Sequence, residues 1–121
     1  MKTLSLLSVL LVTIFVISCS GEQSQSSPTT LAPTDFAGKL RALPTAPLID
    51  VRTPGEYAGG HLQNALNIDW NGDSFDQQIS ALDRSKPVLV YCRSGSRSAA
   101  AASRMRSAGF KEVYELLGGI M

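Results

Sequence analysis

From the amino end, the pattern of apolar and polar positions changes character twice. Leu4 to Ile17 is a nearly unbroken apolar run, with Met1 and Lys2 before it and Ser18 and Cys19 after it. Residues 20–34, SGEQSQSSPTTLAPT, then offer only Leu31 and Ala32 as apolar side chains. From residue 35 onward the pattern is that of a folded domain. Phe36, Leu40 and Leu43 recur at helical spacing and stop before Pro44. Leu48 to Val51 reads as a short buried strand, and Pro54 to Tyr57 as one helical turn closed by Gly59-Gly60. Ala65 to Ile68 is a second short strand, after which Phe75, Ile79 and Leu82 share one helical face. Pro87 to Tyr91 is apolar at alternate and intervening positions alike, the pattern of a central parallel strand covered on both faces. The alanines at 99–102 favour helix over 98–108, Gly109 supplies a stop, and Val113 to Leu116 is a last strand. Strands alternating with helices predict an α/β fold with a central parallel sheet flanked by helices.

Composition narrows the chemistry. With 121 residues, 11 Lys or Arg and 10 Asp or Glu, the formal charge of +1 excludes a nucleic-acid binder that works by bulk positive charge. Two Cys and one His are too few for a disulfide framework or a structural zinc site, so each Cys must act by itself. The small net charge hides an asymmetry. Arg84, Lys86, Arg93, Arg97, Arg104, Arg106 and Lys111 occupy the stretch 84–111 with no acidic residue among them, whereas 35–83 is acidic in balance.

The apolar run at 4–17 is shorter than the roughly 20 residues a spanning helix needs. A basic start, a short apolar middle and a small residue before the cut are the parts of a secretory signal. The segment ending Val16-Ile17-Ser18-Cys19 resembles the signal of bacterial lipoproteins. That resemblance implies cleavage after residue 18, lipidation of Cys19, and an extracytoplasmic domain of the cell envelope, lipid-anchored to a bacterial membrane. The domains are then a signal peptide at 1–18, the lipidated Cys19 and a Ser/Thr/Gln/Pro tether at 19–34, and a folded domain at 35–121. Fifteen tether residues have a reach of roughly 20 Å.

Cys92 follows the central strand at once, in the run Cys92-Arg93-Ser94-Gly95-Ser96-Arg97-Ser98, and precedes a helix. The carboxyl ends of parallel strands are where such sheets bind ligands. A glycine turn leading into a helix N-terminus points backbone N–H groups inward as an anion cup. Arg93, Arg97 and the helix start are expected to lower the Cys92 pKa below its free value of about 8.5, giving a thiolate without a general-base His. Arg104 and Arg106, late in their helix, are expected to face solvent. Asp50, Arg52 and Glu56 are expected to form a structural network.

Three separated segments carry a family resemblance: DVRTPGEYAGGHLQNALNI at 50–68, PVLVYCRSGSRS at 87–98 and AGFKEVYELLGGI at 108–120. Together they resemble the rhodanese-like sulfurtransferases. The resemblance implies a single-domain, three-layer fold in which Cys92 is the nucleophile and carries sulfur as a persulfide. Arg93, Ser94, Gly95, Ser96 and Arg97 would cradle the transferred sulfur, with Arg93 and Arg97 favouring anionic donors. It implies thiosulfate or a similar donor, cyanide or a thiol as acceptor, no cofactor and no metal. His61 falls in the family's Gly-His turn and is expected to be a hydrogen-bonded structural residue. Family members continue past the glycine pair, here Gly118-Gly119, into an aromatic residue and a covering helix, whereas this sequence stops at Met121. Loss of that helix is expected to lower stability, or to leave a surface for a protein partner or a second copy. Two rival readings share Cys92. A phosphatase-like loop resembles Cys-x5-Arg, whereas this one is Cys-x4-Arg; a low-turnover persulfide carrier for an envelope partner uses the same residues as the enzyme.

Overall fold

The computed structural model describes residues 29–121. In chain order the elements are β1 (Thr30–Leu31), α1 (Pro33–Ala42), β2 (Leu48–Asp50), α2 (Pro54–Ala58), β3 (Leu66–Asn67), α3 (Phe75–Ser80), β4 (Val88–Tyr91), α4 (Ser96–Ser107) and β5 (Val113–Leu116). The strands form one five-stranded sheet in the order β1-β5-β4-β2-β3, every pair parallel. β4 lies in the middle, with Val90 opposite both Ile49 of β2 and Glu115 of β5.

Strand parity then sorts the core. Val88 and Val90 face Ile79 of α3 and Ala101, Ala102 and Met105 of α4, while Leu89 and Tyr91 face the layer holding Phe36 and Leu40 of α1. Side chains on a strand alternate between faces, so the next residue, Cys92, falls on the α4 side. Ala101 and Ala102 are fully buried, and their small size lets α4 lie close to the sheet. This is the three-layer arrangement expected.

The tether requires a correction. Thr30 and Leu31 pair with β5, with Glu115 N–H donating to the Thr29 carbonyl and Leu117 N–H to the Leu31 carbonyl, both at 2.8 Å. Leu31 is buried, and the Thr30 hydroxyl donates to the Glu115 carboxylate at 2.6 Å. One buried leucine and a few backbone bonds suffice for an edge strand, and a composition window dominated by Ser, Thr and Pro hides them. Helix α1 likewise starts at Pro33, where a missing N–H costs nothing. The expected signal at 1–18, Cys19 and the expected tether up to residue 28 lie outside the described residues. Among the described residues, no helix is long and apolar enough to cross a membrane.

Beyond β5 the chain turns back on itself through Gly118 and Gly119, both at positive φ (76° and 68°). A Cβ at Gly119 would overlap the Arg93 carbonyl, so only glycine permits this approach. Ile120 N–H then donates to the Cys92 carbonyl at 3.1 Å, joining the end of β5 to the start of the cysteine loop. On the α1 face, Leu40, Leu43, Ala46, Leu48, Leu62 and half-exposed Leu66 border an apolar groove of about 700 Å³.

Candidate active site in the cysteine loop

The loop from Cys92 to Gly95 reverses the chain between β4 and α4. Gly95 takes φ 101°, which a side chain would strain, and its Cα faces the Gly118 backbone closely enough that a Cβ would lie 3.3 Å from the Gly118 nitrogen. That reversal folds the loop over the sulfur. Cys92 Sγ accepts the Gly95 N–H at 3.0 Å and the Ser98 N–H at 3.3 Å, and the Ser98 hydroxyl oxygen lies 3.5 Å away. The Ser98 hydroxyl itself donates to the Gly95 carbonyl at 3.1 Å.

Burial pushes the Cys92 thiol up. Hydrogen bonds from the Ser98 hydroxyl and from the Ser98, Gly95 and Ser94 amides more than offset that, leaving the pKa below its ordinary value. The expected direction holds, and so does the part of its cause assigned to the helix start, whose hydrogen bonds lead the lowering. Of the two arginines, Arg97 attracts the sulfur electrostatically while paired to Glu56.

The arginines are placed otherwise. Arg97 turns away to Glu56 of α2 in a two-pronged ion pair, Nη1 to Oε1 at 2.6 Å and Nη2 to Oε2 at 2.9 Å. The Arg97 guanidinium, with help from Thr53, holds the Glu56 carboxyl down at about 2. Thr53 and Glu56 form a capping box that fixes the start of α2 and so aims Glu56 at the loop. Arg93 is exposed and lines an open cleft of about 470 Å³ beside Arg52, Glu56, Gly60 and the terminal Ile120 and Met121. Ser94 and Ser96 are exposed on the outer side of the same loop.

The comparisons with known proteins agree with this geometry. The Rhodanese-like domain family matches residues 32–121. The chain belongs to the rhodanese-like domain family. It is 39% identical over 90 residues to the protein YqhL of Bacillus subtilis, covering 74% of this chain and 68% of that one. It is also 39% identical over 72 residues to the thiosulfate sulfurtransferase GlpE of Coxiella burnetii, covering 60% of this chain and 65% of that one. Among solved structures, a rhodanese-related protein of Thermoplasma volcanium superposes with a TM-score of 0.66 at 28% identity, covering 78% of this chain and 88% of that one. These likenesses support a sulfurtransferase-like kind of protein.

Within this rhodanese-like domain, the first of the three family-like segments is scaffold, as expected, though its membership differs. Asp50 is fully buried and takes the Arg52 backbone N–H at 2.9 Å, the Arg52 guanidinium at 2.7 Å and the Tyr91 hydroxyl at 2.7 Å. Glu56 is not part of that network, because its carboxylate is committed to Arg97. Burial and the bond to Asp50 push the Tyr91 phenol up to about 12, so it stays a donor. His61 stacks on the Tyr57 ring at 3.7 Å with Nδ1 2.9 Å from the Tyr57 carbonyl, the structural role expected of it. Arg104 bridges to Asp76 on the surface, and Arg106 donates to the Val113 carbonyl, so the basic stretch does not converge on the sulfur. Sequence reasoning missed Ser98, the Glu56–Arg97 pair and the Gly118-Gly119 buttress. Ser98 directly follows the loop and was visible; the other two join distant parts of the chain.

Proposed function

We propose that this rhodanese-like domain is a sulfurtransferase in which Cys92 carries the sulfur. The observation that supports it is the placing of Cys92 Sγ at the base of a loop whose amides and Ser98 hydroxyl favour the thiolate. The thiolate attacks the outer sulfur of thiosulfate; a new S–S bond forms, the old one breaks, and sulfite departs with the bonding pair. The persulfide, anionic at its outer sulfur, then gives that sulfur to cyanide or a thiol, and the thiolate returns. No net electron is lost or gained by the protein, and the two halves predict ping-pong kinetics. Arg93 at the open cleft is the cation available to an arriving anion, since Arg97 is held by Glu56.

That commitment of Arg97 also argues against a phosphatase, whose loop arginine must be free to clamp phosphate. The same reading places the domain at a bacterial envelope, with Cys19 lipidated and the chain up to residue 28 as its tether.

The test is intact-mass analysis of the protein before and after thiosulfate. A gain of one sulfur on Cys92, lost again on adding cyanide, is the expected result; an unchanged mass overturns the sulfur-carrier role. Thiocyanate formation measured against transfer to a protein thiol separates an enzyme from a dedicated carrier. Mass spectrometry of the envelope-extracted protein, showing a diacylglyceryl Cys19 at its amino terminus, checks the anchor.

A further inference from the structure

Ser98 differs from the loop residues named above. It is buried, and it meets Cys92 twice: its backbone N–H donates to Sγ at 3.3 Å, and its hydroxyl oxygen sits 3.5 Å from the same sulfur. In the thiol state the hydroxyl has a complete set of partners, accepting the Cys92 S–H and donating to the Gly95 carbonyl at 3.1 Å. That carbonyl has a second donor, the Ala99 N–H at 3.0 Å, so it stays satisfied when the hydroxyl leaves it. A hydroxyl rotates at little cost, and both acceptors lie within its reach.

We propose that Ser98 is a catalytic residue whose hydroxyl switches its proton from the Gly95 carbonyl to Cys92 Sγ each time the sulfur becomes a thiolate. This rests on the sulfur-transfer reading above. When the Cys92 proton leaves for solvent, the hydroxyl becomes a third donor on Sγ beside the Gly95 and Ser98 amides. When Sγ attacks thiosulfate and sulfite departs, the charge moves to the outer sulfur and the hydroxyl returns to Gly95. When cyanide or a thiol takes that sulfur, the thiolate reforms and the hydroxyl swings back, lowering the barrier to release. The other charged groups around the sulfur are poorly placed for this. Arg97 of α4 attracts the sulfur electrostatically but is bound to Glu56 of α2 and also feels Asp69, and Arg93 is exposed at the cleft. Cys92 belongs to the apolar core cluster that includes Ile49, Val51, Val90, Ala101 and Ala102.

The test is the ionisation of Cys92 in the full chain, read as thiolate absorbance against the Cys92→Ala protein, for wild type and Ser98→Ala. The doubly capped Gly95 carbonyl should let Ser98→Ala fold, which circular dichroism checks. The expected result is an alkaline shift of about one to two pH units in Ser98→Ala. The acid limb of kcat/KM for thiosulfate should move by the same amount and the rate should recover at high pH. In wild-type protein the Ser98 13Cβ resonance should titrate with the Cys92 midpoint. An unshifted thiol titration overturns the proposal, as does a loss of rate that is equal at every pH, or a Ser98 resonance flat through the Cys92 transition. Absorbance does not depend on sulfur transfer. If wild type gains no sulfur from thiosulfate, the sulfurtransferase reading falls while the titration still decides the Ser98 assignment.

Discussion

β2 and β4 are neighbours that end at the same rim of the sheet, after Asp50 and Tyr91, yet their exits are built to opposite ends. At the β2 exit every polar group is closed by another. Asp50 takes Arg52 and Tyr91, Arg52 reaches the Gly60 carbonyl at 2.6 Å, and the Asn67 amide covers the Asp50 and Arg52 carbonyls. At the β4 exit the amides converge on one sulfur, and Arg93 faces an open cleft. A saturated network holds shape, whereas a set of donors aimed at one polarisable atom holds charge. One exit is rigid so that the other can be reactive.

The comparison can be broken by substitution on either side. The largest effect is expected at the reactive exit: Cys92→Ala should remove thiosulfate turnover by more than about a thousandfold, assayed as thiocyanate, with the fold intact by circular dichroism. At the rigid exit, Asp50→Ala leaves the buried Arg52 guanidinium without its carboxylate. The expected cost is about 3–5 kcal/mol, read by urea denaturation. A stable Asp50→Ala protein that had lost only activity would show that this exit is part of the chemistry. Tyr91→Phe strands the Leu62 N–H and removes one donor from Asp50 Oδ2, which keeps Arg52, for a cost of about 1–3 kcal/mol in the same experiment.

The smallest effect is expected where the exits meet, at Glu56. Its carboxyl ionises at about 2 in the folded protein, against an ordinary value of 4.5. The pair with Arg97 therefore stabilises fully above that ordinary value and is lost as pH falls through about 2. Glu56→Gln should lower the melting temperature above about pH 5, by little because the pair is partly exposed, and the two proteins should converge as pH falls towards about 2, so that the variant's fall is the flatter. Parallel slopes for the two proteins would show that Glu56 and Arg97 do not hold the loop.

The residues explain how far the reading from sequence reached. Val88 to Tyr91 was legible as a central strand because an unbroken apolar run has few other places to go. The cysteine loop was legible because a Cys, a Gly and a following helix are contiguous. Thr30–Leu31 was not, since an edge strand of two residues is held by partners on β5 and carries almost no pattern of its own. The helix start's share in lowering the Cys92 pKa was legible, but the parts played by the two arginines were not, for a related reason. Two arginines are visible in the sequence, but which of them faces the sulfur depends on a carboxylate 41 positions away.

By itself, the sequence determined the order of strands and helices from α1 to β5, the parallel α/β class and the place of Cys92 at a strand end, all consequences of local periodicity and of residues close along the chain. Only the tertiary structure decided where the charges go. Arg97 is paired with Glu56, the glycine pair beyond β5 braces the loop, and the sulfur sits among backbone amides that donate to it and the Ser98 hydroxyl oxygen. Electrostatic and steric contacts between distant segments depend on ångström distances that no spacing along the chain encodes.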